Sequence, residues 1–283
     1  MTAPPRCLTL GYSPCPNDTF IFHALTHGLV PTPGLQVAVR LADVESLNQL
    51  ALQGILDLTK ISCHALGHLR ERYAMLRSGA ALGRGCGPLV VAPRPATMAE
   101  LRGKKIAIPG HLTTANLLLQ LYGEGFDDLL VLPFDQIMPA LLRGEAAAGV
   151  IIHESRFTYR QAGFHEVVDL GSWWEGETGL PIPLGAILAR RDLGAALIGE
   201  VDTAIRASLD AAWADPQRAR GYIRANAQEL DDAVIDAHIK LYVNEFSRDL
   251  GEAGLAAVTE LLMRAERRGL IPASTQPLLA CGP

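Results

Sequence analysis

The stretch CLTLGYSPCPNDTFIF, residues 7–22, decides how the rest of the chain is read. An apolar run ending at Tyr12 leaves through two prolines, a cysteine and four small polar side chains, then becomes apolar again. Pro14 and Pro16 stiffen the exit, and Ser13, Asn17, Asp18 and Thr19 are all cap-forming types, so a strand delivers the chain into a helix start. One side chain is enough for a cap. The surplus supports a second reading, in which free N–H groups at the helix start and a nearby hydroxyl receive an anion such as a carboxylate.

The same strand, turn and helix unit recurs along the chain. Short β-rich runs at residues 7–12, 36–40, 56–61, 88–92, 105–108, 129–132, 149–152, 166–170 and 184–189 alternate with helical stretches, the pattern of an α/β protein with largely parallel sheets. After Asp192 the pattern is helical, over 195–213, 216–226, 232–244 and 252–268. Asp215 before Pro216 predicts a capped helix start, and Gly269 predicts a stop after an arginine-rich last turn.

A weak internal echo predicts two lobes. Leu52-Gln53-Gly54 precedes a β-run ending near Ser62, as Leu142-Arg143-Gly144 precedes one ending near His153. Two such halves present strand ends and helix starts to a shared cleft, where α/β proteins bind ligands. Between them, residues 78–88 carry four glycines, read as a crossover or hinge, because the GxxxxGK[ST] and GxGxxG spacings are absent.

With 283 residues, 49% hydrophobic and 19% charged, the chain has material for one large or two medium domains. A net charge of -5 without a basic stripe argues against nucleic-acid partners. The first six residues lack the regions of a secretory signal, and no run of about 18 apolar residues marks a membrane span, so a cytoplasmic location is expected. Cys7, Cys15, Cys63, Cys86 and Cys281 form no CxxC pair and read as reduced thiols in or near a core. His64 and His68 have the spacing of a metal pair, but Arg70 and Arg72 crowd the segment and no HExxH is formed. A solvated helix surface is expected there, with no metal site and no cofactor.

Three further stretches carry candidate chemistry. Thr113 and Thr114 follow the run ending at Gly110, and one of them caps the next helix while the other is free to face a cleft. Thr59, Lys60, Ile61 and Ser62 close another β-run with a cation beside a hydroxyl. His153 ends a buried apolar run, which lowers its pKa and suits it to act as a neutral base near pH 7. Glu154 or Ser155 can orient its ring, and Arg156 can pair with a carboxylate. Trp173 and Trp174, in a Gly- and Pro-rich stretch, read either as a lid over a flat ligand or as packing within their own lobe.

SPCPNDTF at 13–20, LTKIS at 58–62, the Thr113-Thr114 turn, IIHESRFTY at 151–159 and GLPIPLGAI at 179–187 together resemble the 1,4-dihydroxy-6-naphthoate synthase family of menaquinone biosynthesis, over nearly the whole chain. The resemblance implies a two-lobed fold similar to the type II periplasmic binding proteins, with mixed or parallel sheets and a ligand cleft. Residues 1–92 and 188–283 would form the larger lobe and 93–187 the smaller. It also implies a carbon–carbon lyase that converts cyclic dehypoxanthinyl futalosine into 1,4-dihydroxy-6-naphthoate, releasing a small sugar-derived fragment expected to be dihydroxyacetone. The family's catalytic histidine falls on His153, and its ligand-contacting segments fall on Lys60, Ile61, Ser62, Thr113 and Thr114. Ser13, Asn17, Thr19 and Arg156 complete the expected substrate-binding set, around a small carboxylate partner. A homodimer is left open. The rival readings are a solute-binding protein for a small carboxylate and the sibling chorismate dehydratase.

Overall fold

Two sheets organise the computed structural model, which describes residues 6–32, 34–228 and 231–280. The strands are β1 (Arg6–Tyr12), β2 (Leu35–Leu41), β3 (Leu58–Ser62), β4 (Tyr73–Met75), β5 (Ala81–Gly83), β6 (Leu89–Ala92), β7 (Ile106–Ile108), β8 (Leu129–Val131), β9 (Ala148–Ile151), β10 (His165–Asp169) and β11 (Ile182–Arg190). The helices are α1 (Pro16–Thr26), α2 (Val44–Leu52), α3 (Cys63–Leu69), α4 (Thr114–Tyr122), α5 (Ile137–Leu142), α6 (Ser155–Thr158), α7 (Leu170–Thr178), α8 (Ala195–Ala214), α9 (Arg220–Asn226), α10 (Asp232–Tyr242), α11 (Glu245–Arg248) and α12 (Gly251–Arg267).

The first sheet has the order β2-β1-β3-β11-β4, with β5 also paired to β11. Its first three strands are parallel, as βαβ crossovers through α1 and α2 require, whereas β11 returns antiparallel to β3. The second sheet has the order β10-β6-β9-β7-β8, with β6 antiparallel to β9 and β10 and the others parallel. Both sheets are therefore mixed. The antiparallel members are those next to the points where the chain changes sheet, because a strand arriving from the other sheet has no crossover helix to fix it parallel. The glycine-rich stretch 78–88 is one of these crossings, running from β5 in the first sheet to β6 in the second. At Gly87 a Cβ would come within 2.3 Å of the Gly171 backbone, so only glycine fits the crossing.

The helical tail folds back onto the first sheet. Ser208 of α8 donates its hydroxyl to the Ile21 carbonyl at 2.6 Å and accepts the Leu25 N–H at 2.9 Å, tying α8 to α1. One apolar cluster joins β1, α1, α8 and α10 through Leu10, Phe22, Ile205, Leu209 and Ile235. The internal echo corresponds to real geometry: α2 and α5 each end in a left-handed glycine, Gly54 (φ 71°) and Gly144 (φ 74°), before β3 and β9.

Some local expectations are corrected. Asp215 makes no capping bond with its side chain, and the turn after it is a 3-10 turn over Pro216–Ala219. Cys15, Cys63 and Cys86 are buried, but Cys7 is exposed at the start of β1; Cys281 lies outside the described residues. The stretch containing Trp173 and Trp174 is helix α7, capped by the Asp169 carboxylate, and not a loop.

Candidate active site

β1 ends where Cys15, extended at φ -63° and ψ 152°, places Pro16 at the first position of α1. The helix start so formed already holds an anion. The Asp18 carboxylate accepts from the Ser13 N–H (3.1 Å), the Ser13 hydroxyl (2.8 Å), the Asn17 amide (2.8 Å) and Lys60 Nζ (3.0 Å). Lys60 also donates to the Gly79 carbonyl at 2.7 Å, and the Lys60–Asp18 pair is buried, its side chains 6% and 4% exposed. Buried charge of this kind persists only when paired and hydrogen-bonded. The carboxylate expected from a ligand at this turn is thus supplied by the protein. Thr19 turns its hydroxyl back to the Cys15 carbonyl at 2.9 Å and is fully buried, away from the cleft.

The turn into α4 is built differently. Thr113 Oγ1 donates to the Gly110 carbonyl (2.8 Å) and accepts the Asn116 N–H (3.3 Å), and Thr114 Oγ1 donates to the Leu184 carbonyl (2.6 Å). Both hydroxyls are committed to the protein, which corrects the expectation that one would stay free. What the turn offers a ligand is backbone: the N–H groups of Thr114 and Ala115, which have no partner within the helix, since Thr113 takes that of Asn116. Ser62, at the start of α3, stands beside it. Asn48 takes the Ser62 N–H at 3.1 Å and donates to its Oγ at 3.3 Å, leaving the hydroxyl proton available to a ligand. Behind both lies His64, buried rather than solvated as expected, with Nδ1 3.3 Å from the Thr113 carbonyl. Burial pushes its pKa down to about 4, and His68 is half-buried beside it.

His153 follows β9 at φ 56°, and among the described residues it alone, glycine apart, occupies the left-handed region. Such a conformation costs about 1–3 kcal/mol and is held where surrounding structure over-determines it. Its half-buried ring lies between the Phe134 ring (centroids 4.9 Å apart) and the His238 ring (6.0 Å, 12° between planes). No hydrogen bond from the described residues reaches either ring nitrogen, and burial lowers its pKa from the ordinary histidine value. A ring nitrogen of His153, the Cys15 sulfur and a Glu154 carboxylate oxygen all lie within 4.8 Å of one another. Burial pushes the Cys15 thiol well up, which keeps it a neutral thiol rather than the thiolate that metals and nucleophilic chemistry require. The imidazole of His153 is thus the member of this cluster that burial keeps neutral and that faces the cleft.

Ser13, Asn17, Lys60, Ile61, Ser62, Thr113, Thr114 and His153 line one cleft between the sheets, enclosing about 710 Å³ including its open mouth, in the size range of small-molecule sites. Val44, Leu47, Ile61 and Leu184 give it an apolar wall. Arg156 is not part of it. Its guanidinium is held by the Asp169 carboxylate at 2.7 Å and by the Gly87 carbonyl, so it is already paired and ties α6 to the sheet crossing. Trp174 is fully buried and donates to the Pro181 carbonyl at 3.0 Å, and Trp173 packs on Tyr122; both are packing residues of their own lobe and neither lines the cleft. Asp18, Cys86 and Tyr242 line the cleft without having been singled out for it, and buried His238 stands behind His153. Only Asp18 had a sequence signal, the surplus of caps at α1; His238 and Tyr242 come from the helical tail, where periodicity reads as core.

The sequence matches the menaquinone biosynthesis family over residues 8–267. It is 56% identical to a 1,4-dihydroxy-6-naphthoate synthase of Thermus thermophilus over 273 residues, 96% of this chain and 99% of that one. It is 50% identical to a 1,4-dihydroxy-6-naphthoate synthase of Streptomyces coelicolor over 279 residues, 96% of this chain and 98% of that one. Among solved structures, a protein from Archaeoglobus fulgidus superposes with a TM-score of 0.88 at 38% identity, covering 94% of this chain and 98% of that one. The alkanesulfonate-binding protein of Xanthomonas axonopodis superposes with a TM-score of 0.73 at 17% identity, covering 99% and 98%, which identifies the fold as that of the periplasmic binding proteins. Two sheets with a cleft between their strand ends, filled by a histidine on a strained turn, are thus the form taken here by a member of the menaquinone biosynthesis family.

Proposed function

We propose that this chain is a cytoplasmic lyase with the activity its relatives are named for, 1,4-dihydroxy-6-naphthoate synthase, acting on cyclic dehypoxanthinyl futalosine with His153 as general base. The observation that carries the reading is the His153 imidazole: half-buried, kept neutral by burial, without a hydrogen bond from the described residues, and facing a cleft otherwise lined by hydroxyl, amide and apolar groups and by the mutually paired Lys60 and Asp18. The substrate carboxylate is received by the N–H groups at the start of α4 and by Ser62. No free cation is needed there, since Lys60 is neutralised by Asp18. The bicyclic skeleton lies along Val44, Leu47, Ile61 and Leu184. His153 takes a proton from a carbon of the substrate, the C–H electron pair remains on the substrate, and its collapse expels the small sugar-derived fragment. Aromatisation of the ring drives the cleavage. Ser13 and Asn17 line the cleft and belong to the positioning shell through their bonds to Asp18 and His238, whereas Thr19 and Arg156 are left out because neither lines the cleft.

The same reading divides the chain into lobes at residues 84–88 and 179–181, in place of the expected divisions after residues 92 and 187, because β6 pairs in the second sheet and β11 in the first.

A general base contributes about 10²- to 10⁴-fold. His153→Ala is expected to lose turnover of the cyclic substrate by that factor while still binding the naphthoate product, measured by ultraviolet detection of product and by calorimetry. Unchanged turnover overturns the assignment. Unchanged ligand recovered from the wild-type protein supports a solute-binding role instead, and turnover of the chorismate dehydratase substrate supports the sibling enzyme.

A further inference from the structure

Behind His153 lies a buried polar pair with an unfilled proton position. His238, fully buried on α10, has Nε2 2.9 Å from Asn17 Oδ1. The Asn17 amide nitrogen is spent on Asp18, so its oxygen faces the ring and accepts, which assigns the proton of neutral His238 to Nε2. His238 Nδ1 is then a bare acceptor. It faces the Glu154 carboxylate at 4.0 Å, too far for a hydrogen bond, and both Nδ1 and Glu154 Oε2 are buried with no partner among the described residues. Two acceptors facing each other in an apolar interior are unfavourable unless a positive charge or a proton is near.

That charge arises during turnover. When His153 takes a proton its ring becomes an imidazolium, within 4.8 Å of the Glu154 carboxylate and stacked at 6.0 Å on His238. We propose that Glu154 and His238 are the positioning pair of the base: Glu154 supplies the counter-charge that stabilises the protonated His153, and His238, anchored to Asn17, backs the His153 ring and links the base to the turn at the start of α1. The inference rests on His153 being the base.

The other groups around His153 do not take this role. Cys15 is a neutral thiol, Phe134 has no charge, Asp18 is neutralised by Lys60, and Asp43 has a smaller influence than Glu154. His238 itself is held neutral by burial, so it contributes shape and a hydrogen bond but no charge. Glu154 is the largest influence favouring the protonated form of His153, opposing the burial that disfavours it.

The test reads His153 directly. Its ring signals are followed by NMR against pH in the wild type, Glu154→Gln, Glu154→Asp and His238→Gln, alongside pH profiles of kcat and KM, with circular dichroism to select folded variants. In Glu154→Gln the His153 titration and the acid limb of kcat/KM are expected to move together to lower pH by about 1 unit. The kcat is expected to fall about 10- to 100-fold with KM little changed, and Glu154→Asp restores part of both. His238→Gln, which keeps a donor toward Asn17, gives a smaller shift in the same direction. An unmoved His153 titration in folded Glu154→Gln overturns the proposal even if activity falls. Retained turnover in His153→Ala instead removes the base assignment on which it stands, so the two failures are separable.

Discussion

The starts of α1 and α4 look alike in sequence, each a strand running through hydroxyl-bearing residues into a helix, yet they do opposite things with charge. At α1 the helix start, Ser13, Asn17 and Lys60 all converge on one carboxylate, Asp18, from the helix's own first turn. At α4 the two threonines spend their hydroxyls on the carbonyls of Gly110 and Leu184, and no acidic residue stands in the first turn. Glu45 of α2, held also by Asn48 and Gln49, accepts the Leu112 N–H at 3.2 Å, ahead of the helix. A helix start that carries its own anion is a rigid wall. One that lacks it retains the affinity for an anion that its dipole and free N–H groups confer. The cleft thus has a closed side and a receptive side, with His153 reaching between them.

The sharpest way to break this contrast is to remove the cation from the closed side. Lys60→Met leaves Asp18 buried and unpaired, and removing one partner of a buried ion pair costs about 3–5 kcal/mol. Urea denaturation is expected to register that loss, whereas Asp18→Asn combined with Lys60→Met recovers most of it by leaving no orphan charge. A double variant as unstable as the single one shows that the site depends on the pair for more than charge balance.

On the receptive side the stored cost is acid sensitivity. His64 is packed neutral against the Thr113 carbonyl with its pKa lowered to about 4, against about 6.5 in an unfolded chain. The unfolded state binds the extra proton between those values, so the stability contributed is complete above pH 6.5 and is lost as pH falls toward 4. The total is about 3 kcal/mol, and its steepest slope is about 1.4 kcal/mol per pH unit. His64→Gln is expected to flatten the stability profile across that window by this slope, measured by denaturant midpoints at successive pH values; His153 and His238 retain theirs. A profile of unchanged steepness shows that His64 takes up its proton in the folded state.

How much of this was legible beforehand follows the range of the interactions. Strands and helices are set by local periodicity, and nine strand positions stand near where the sequence puts them; the two missed, Tyr73–Met75 and Ala81–Gly83, are three residues each and depend on pairing with β11, far along the chain. The antiparallel return of β11 was not legible, since it is set by which sheet the chain re-enters. Ser62, Thr113, Thr114 and His153 were legible as strand-end residues, and the cleft gathers all four. His238 was not, because 221 residues separate it from Asn17 and a histidine on a core-facing helix has no signature until its partner is known. Arg156 misled for the complementary reason. Its guanidinium suits a carboxylate in a ligand as well as in Asp169, and only packing decides between them.

The smallest effect tests whether the closed side is closed down to its last hydroxyl. Thr19 has the residue type and position of a ligand contact, but its Oγ1 lies 2.9 Å from the Cys15 carbonyl and 3.3 Å from that of Pro16, with no exposed surface. Thr19→Val keeps the shape and removes a hydrogen bond whose net contribution is about 1 kcal/mol, leaving two carbonyls less well satisfied. A loss of about that size is expected in thermal or urea unfolding, with KM for the cyclic substrate unchanged, since nothing that faces the cleft has been altered. A rise in KM without loss of stability reverses the assignment: the hydroxyl would then turn outward when substrate binds, and the start of α1 would be a ligand-receiving turn after all.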